Sequence, residues 1–244
     1  YPAGPGGERR PVVAGRFLLG VLAANSAAFR NGGCQRRFGG LGAVGMVLFF
    51  FLVVGPVEEV VKLLAVRLYA YNDNRFDAVL DGAVYGAMAG LVFAVIENAL
   101  YITRQLPATE LDIGLGLIGA GGGITAIRAL AGPGHVIYSA IAGYYLGLAK
   151  FNPGRRGPIV VKGILIAAFV HATYNATVGI GSGVIGLVTG LSGLAPFLIY
   201  VVLYDGVLAL FLLGKIQQYR DSYREAHAPG RTEADFESEL TEFE

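Results

Sequence analysis

Six stretches of this 244-residue chain, near 12–29, 41–69, 81–103, 126–149, 160–178 and 190–214, are apolar over roughly a membrane thickness. An α-helix needs about 20 predominantly apolar residues to cross the hydrocarbon core of a bilayer. In that solvent every backbone N–H and C=O must be satisfied internally, which leaves helices or closed barrels. The expected fold is therefore all-α: a polytopic transmembrane helix bundle of about six spans. Charged residues supply only 15% of the chain, against about 25% in an ordinary soluble domain, which argues against a water-soluble globule.

Local signals refine this reading. Gly82, Gly86 and Gly90 recur every four residues in the third span, so one face of that helix is smooth and a neighbour is expected to approach closely. Gly55-Pro56 is expected to kink or break the second span just before Glu58, Glu59 and Lys62. Residues 104–125, with Pro107 and the run Gly121-Gly122-Gly123, read as a re-entrant or surface segment. The domain division is a polar segment 1–11, a membrane-embedded domain 12–214 and an acidic tail 215–244.

Lys and Arg gather on alternate loops. One side collects Arg9, Arg10, Arg67, Arg75, Lys150, Arg155, Arg156, Lys162, Lys215, Arg220 and Arg224, and the other Arg30, Arg36, Arg37, Arg104 and Arg128. The positive-inside rule then puts both termini in the cytoplasm and the chain in the cell membrane. Such loops are no nucleic-acid footprint, so the expected surroundings are a lipid bilayer and no nucleic acid. Cys34 is the only cysteine, which excludes an internal disulfide and any multi-cysteine metal site.

Ionisable residues inside a span cost about 2.5 to 3.5 kcal/mol each at the helix centre, so several together call for a reason. Glu58, Glu59, Glu97, His135 and His171 fall on four spans at similar depth, near mid-membrane. One shared polar site is the economical explanation. Glu58 and Lys62 are four apart and expected to form a salt bridge, while Glu59 points about 100° away. His171 and Asn175 share another helical face. Asp81 and Asp205 lie nearer the estimated span ends and read as interfacial.

Carboxylates with imidazoles can hold a divalent metal, zinc being the candidate, or activate a water by general-base catalysis. That is a hydrolytic inventory. No His-Glu-x-x-His motif or phosphate-binding glycine loop is present.

Taken in order, Glu58-Glu59-Val60-Val61-Lys62, Phe93-Ala94-Val95-Ile96-Glu97-Asn98, Gly134-His135 and His171-Ala172-Thr173-Tyr174-Asn175 resemble the PrsW family of intramembrane proteases. The resemblance covers about residues 41 to 214. It implies kinship with the superfamily of CAAX prenyl proteases and the Aph subunit of γ-secretase. Glu58 and Glu59 match that superfamily's paired glutamates, and His171 and Asn175 its distal His-x-x-x-Asn. CAAX proteases carry a histidine where this chain has Glu97, which matches the PrsW branch and argues against a prenyl-protein substrate.

What the resemblance implies is an intramembrane endopeptidase acting on a single-pass membrane-protein substrate, in the family's best-known role an anti-sigma factor. The expected catalytic set is Glu58, Glu59, Glu97, His135, His171 and Asn175, with a metal, if used, on Glu59, Glu97, His135 and His171. Either glutamate of the pair could deprotonate the attacking water, while Asn175 and one histidine stabilise the oxyanion. Two other classes can use such a cluster: a non-catalytic scaffold binding partner helices, and a proton or cation carrier. A carrier more often shows an internal repeat of broken helices, and none is evident here.

Overall fold

The computed structural model describes residues 37–105 and 122–226. The expected first span, most of the segment 104–125 and the tail beyond Ala226 lie outside the described residues. Within them every regular element is helical: α1 (Gly42–Phe49), a π turn (Phe50–Val54), α2 (Gly55–Tyr69), α3 (Val79–Gln105), α4 (Gly122–Phe151), α5 (Arg156–Thr189) and α6 (Ala195–Ala226). Four rods, Gly42–Tyr69, Val79–Ala99, Pro153–Thr189 and Ala195–Glu225, are long and apolar enough to cross a membrane. The chain forms an all-α membrane bundle. Its outward faces are greasy, with Leu187, Val207 and Leu210 well exposed, as a lipid-facing surface requires.

Helix α4, 30 residues and about 45 Å long at 1.5 Å per residue, packs against α2, α3, α5 and α6 and so forms the centre. Its contact with α3 is the most extensive among the described helices, and the glycine stripe explains why. A Cβ at Gly82, Gly86 or Gly90 would run into the carbonyl oxygens of Gly143, Ser139 and His135 respectively. Gly143 and Gly147 answer from α4, against Gly82 and Val79. Small residues on both helices let the backbones touch, which is how packing holds helices together where lipid tails are as apolar as the side chains.

The same device joins α2 to α5. A Cβ on Gly55 would strike the carbonyl oxygen of Ala168, so the chain just before Glu58 and Glu59 lies flush against the turn before His171. Pro56 lacks an N–H and its ring crowds the carbonyl four residues back. The wider π turn at Phe50–Val54 absorbs that defect, so the irregularity expected at Gly55-Pro56 takes the form of a local widening in a continuous helical rod.

One end of the bundle is tied by polar bonds. Lys150 Nζ donates to the carbonyls of Tyr71 at 2.7 Å and Phe76 at 2.5 Å, and Tyr144 Oη donates to the Lys215 carbonyl at 3.3 Å. This gathers the C-terminal ends of α2, α4 and the apolar part of α6 with the start of α3. Asp81 opens α3 at the same end, its Oδ2 accepting the N–H groups of Asp77 at 3.0 Å and Ala78 at 2.8 Å. The last helix continues well past Gly214, to Ala226.

Candidate active site

Helix α2 presents two consecutive glutamates to the bundle core, and both are buried: Glu58 is 6% exposed and Glu59 0%. Lys62, one turn later, is also 0% exposed. Its ammonium donates to Glu59 Oε1 at 2.5 Å. The expected Glu58–Lys62 salt bridge is therefore corrected: the lysine pairs three residues back, not four. Both spacings make neighbours on a helix, and here Glu59 is the one turned into the core, where Ser139 Oγ donates to its Oε2 at 3.2 Å.

Two imidazoles close the cluster. His171 from α5 places Nδ1 2.9 Å from Glu59 Oε1 and Nε2 3.8 Å from Glu58 Oε2. His135 from α4 places Nε2 3.1 Å from Glu97 Oε2 on α3 and Nδ1 3.2 Å from the Lys62 ammonium. An ammonium only donates, so Nδ1 of His135 accepts and its Nε2 carries the proton facing Glu97. The rings meet edge to face, centroids 4.9 Å apart. Each imidazole is thus held at one nitrogen by a glutamate and turns the other into the cluster.

Phe93, 1% exposed, roofs the site. Lys62 Nζ lies 4.6 Å from its ring centroid, and the His135 ring packs on it at 5.4 Å. Four helices thus bring Glu58, Glu59, Glu97, His135 and His171 together. Asn175 is half-buried one turn beyond His171 and makes no side-chain hydrogen bond with another described residue.

Three contributors are not in the expected set. Ser139 follows His135 by four residues, a spacing that already marks a shared face. Tyr138, 1% exposed, lays its ring 5.5 Å from that of His171 and donates from Oη to Asp205 Oδ1 at 2.9 Å. Asp205 is 5% exposed, which corrects its interfacial reading: α6 begins at Ala195 and runs to Ala226, so Asp205 lies deep in it. Gly134 has a matching purpose, since a Cβ there would sit 2.6 Å from the Tyr138 hydroxyl.

Glu58, His135 and His171 each offer a donor atom, all within 4.8 Å of one another. One carboxylate and two imidazoles make the His2Glu set that suits a catalytic zinc, and glutamates on the far nitrogens of metal-binding histidines are the usual outer support. The donor set therefore fits a divalent metal, which on His135 would take the Nδ1 lone pair in place of the Lys62 ammonium. Glu58 completes this candidate triad, while Glu59 and Glu97 bond the two histidines. Three carboxylates against one ammonium also leave an excess of negative charge, which protons or a divalent cation must offset.

The family described as PrsW family intramembrane metalloprotease matches this sequence over residues 8–207. The chain belongs to the PrsW family. That match takes in every helix of the cluster and ends in α6 just past Asp205. Among curated PrsW proteins, the Protease PrsW of Geobacillus kaustophilus is 33% identical over 125 residues, 51% of this chain and 49% of that protein. The Protease PrsW of Bacillus subtilis is 30% identical over 163 residues, 65% of this chain and 66% of that protein. The Protease PrsW of Clostridioides difficile is 29% identical over 132 residues, 53% and 51% of the two chains. The chain thus spans about half to two-thirds of the length of the PrsW relatives it matches. No solved structure matches it.

Proposed function

We propose that this chain is an intramembrane endopeptidase that hydrolyses a peptide bond in a single-pass membrane-protein substrate, with anti-sigma-factor-like regulated proteolysis as its setting. The observation that carries the reading is the pair Glu58-Glu59 buried beside two imidazoles, each backed by its own glutamate. Helix packing alone does not call for so many ionisable groups in the core of an apolar bundle. The family's description as metalloproteases and the names of the relatives support the same reading.

The residues divide the labour as follows. Glu59 is fixed at Oε1 by Lys62 and His171, so its Oε2, which takes the longer bond from Ser139, accepts the proton of the attacking water. Glu58, His135 and His171 would hold zinc, which when bound supplies a Lewis acid that polarises the scissile carbonyl. Glu97 holds the His135 ring in one tautomer. Asn175, one turn from His171, supports the developing oxyanion, a contribution of about 2.7 to 4 kcal/mol per donor where measured.

The basic end of the bundle faces the cytoplasm, so the C-terminus is cytoplasmic and the chain sits in the cell membrane. Residues 12–214 act as the membrane-embedded domain between polar flanks. The test is cleavage of a panel of single-pass substrates by purified protein in liposomes, with chelator and then zinc readdition. Cleavage lost with chelator and restored by zinc supports the metal-assisted form. Cleavage that resists chelator but disappears in Glu59→Gln supports water activated by glutamate alone.

A further inference from the structure

A cavity of about 420 Å³ opens between α2, α4 and α5 at the basic end of the bundle, outside the glutamate–histidine cluster. Its walls are apolar, with Val60 and Leu64 from α2, Leu146 from α4 and Ile164 from α5. Two arginines line it as well, Arg67 in the last turn of α2 and Arg156 at the start of α5. From Val60 to Arg67 is about 10 Å along α2, and from Ile164 to Arg156 about 12 Å along α5. Both helices therefore run from oily depth to a cationic mouth over the same distance.

The arginines are placed but not neutralised. Arg67 lies over the Tyr71 ring, 4.3 Å from its centroid, and Arg156 Nη2 donates to the Lys150 carbonyl at 3.4 Å. Neither faces a carboxylate among the described residues, and no acidic residue lines the cavity. The carboxylate of Asp73, in the turn after α2, is taken by Arg75 at 2.9 and 3.0 Å. A guanidinium presents a planar fork of donors that matches phosphate oxygens.

We propose that this cavity is a binding site for one anionic phospholipid, its phosphate bridged by Arg67 and Arg156 and one acyl chain laid along Leu64, Leu146 and Ile164. Basic pockets between membrane helices near the surface are suited to acidic headgroups, and the volume lies in the range of small-ligand sites, about 300 to 1,000 Å³. The proposal does not depend on the proteolytic reading.

The experiment is native mass spectrometry of the full chain in detergent, with equal amounts of phosphatidylglycerol and phosphatidylcholine of the same chain length. The wild type should retain one phosphatidylglycerol in preference to phosphatidylcholine. Arg67→Gln and Arg156→Gln should each cut that preference about five-fold, the equivalent of about 1 kcal/mol per basic residue at an anionic lipid. Lys215→Gln, at the same end but off the cavity, should leave it unchanged. Leu64→Trp, at a 39% exposed position of the cavity wall, should abolish retention while the melting temperature holds. Equal retention of the two lipids, equal losses in Lys215→Gln, or undiminished binding in Leu64→Trp would each overturn the proposal. So would binding of glycerol 3-phosphate as tight as that of the intact lipid.

Discussion

His171 Nδ1 stands 2.9 Å from Glu59 Oε1, a contact between residues 112 apart in sequence that fastens α5 to α2 in the core. The same oxygen takes the Lys62 ammonium at 2.5 Å. Glu59 therefore has two duties, one electrostatic and one chemical, and they can be separated. Replacing Glu59 by Gln leaves a fully buried ammonium without its counter-charge, which should lower unfolding stability by about 3–5 kcal/mol. Adding Lys62→Met removes the orphaned charge and should recover most of that loss. Denaturant unfolding in micelles, followed by circular dichroism, measures both.

Tyr138 and Asp205 form a second buried pair, and its members are not equivalent. Tyr138→Phe keeps the ring against His171 but strips Asp205 of its donor, and an unsatisfied buried acceptor costs about 1–3 kcal/mol. That variant should melt earlier than wild type. The double variant Tyr138→Phe/Asp205→Leu should melt later than Tyr138→Phe alone, because both polar partners have then gone. A double-mutant cycle on melting temperature reads the coupling directly.

The glycine stripe predicts a contrast between two glycines of similar sequence context. A Cβ at Gly86 would collide with the Ser139 carbonyl, whereas one at Gly206 meets nothing within 4 Å. Gly86→Val should therefore push α3 from α4, displacing Ser139 and His135 together, with loss of both stability and cleavage. Gly206→Val should change neither by more than about 0.5 kcal/mol, as for surface substitutions away from special features. Parallel expression, melting and cleavage assays of the two variants make the comparison.

The stripe was legible in the sequence because a four-residue glycine period has one meaning on an apolar helix, close approach. The polar cluster was legible for a related reason: Glu58, Glu59, Glu97, His135 and His171 have no business at mid-membrane except with one another. What sequence could not choose was which glutamate Lys62 would take, since three- and four-residue separations are both neighbours on a helix. Asp205 was misplaced because the last helix starts at Ala195 and extends to Ala226, later at both ends than hydropathy suggested. Tyr138 carried a signal that could have been used, its four-residue distance from Gly134, the spacing that makes room for its hydroxyl.

The donor set predicts which residues govern metal content. Glu58→Gln, His135→Ala and His171→Ala should each lower zinc per purified chain to a small fraction of wild type, because each removes a ligand atom from the group within 4.8 Å. Glu97→Gln removes only the outer support of His135 and should weaken zinc binding about 10- to 100-fold without abolishing it. Metal analysis at limiting free zinc distinguishes the two outcomes, independently of any substrate.

The central claim is that Glu59 performs chemistry as well as holding the core. The most direct measurement is turnover of one cleaved single-pass substrate in liposomes by wild type, Glu59→Gln and the stability-matched Glu59→Gln/Lys62→Met. The account predicts that both variants lose at least about 100-fold in kcat, the usual scale of a missing general base, although the double variant is as well folded as wild type. Cleavage by the double variant at a rate within a few-fold of wild type would contradict it.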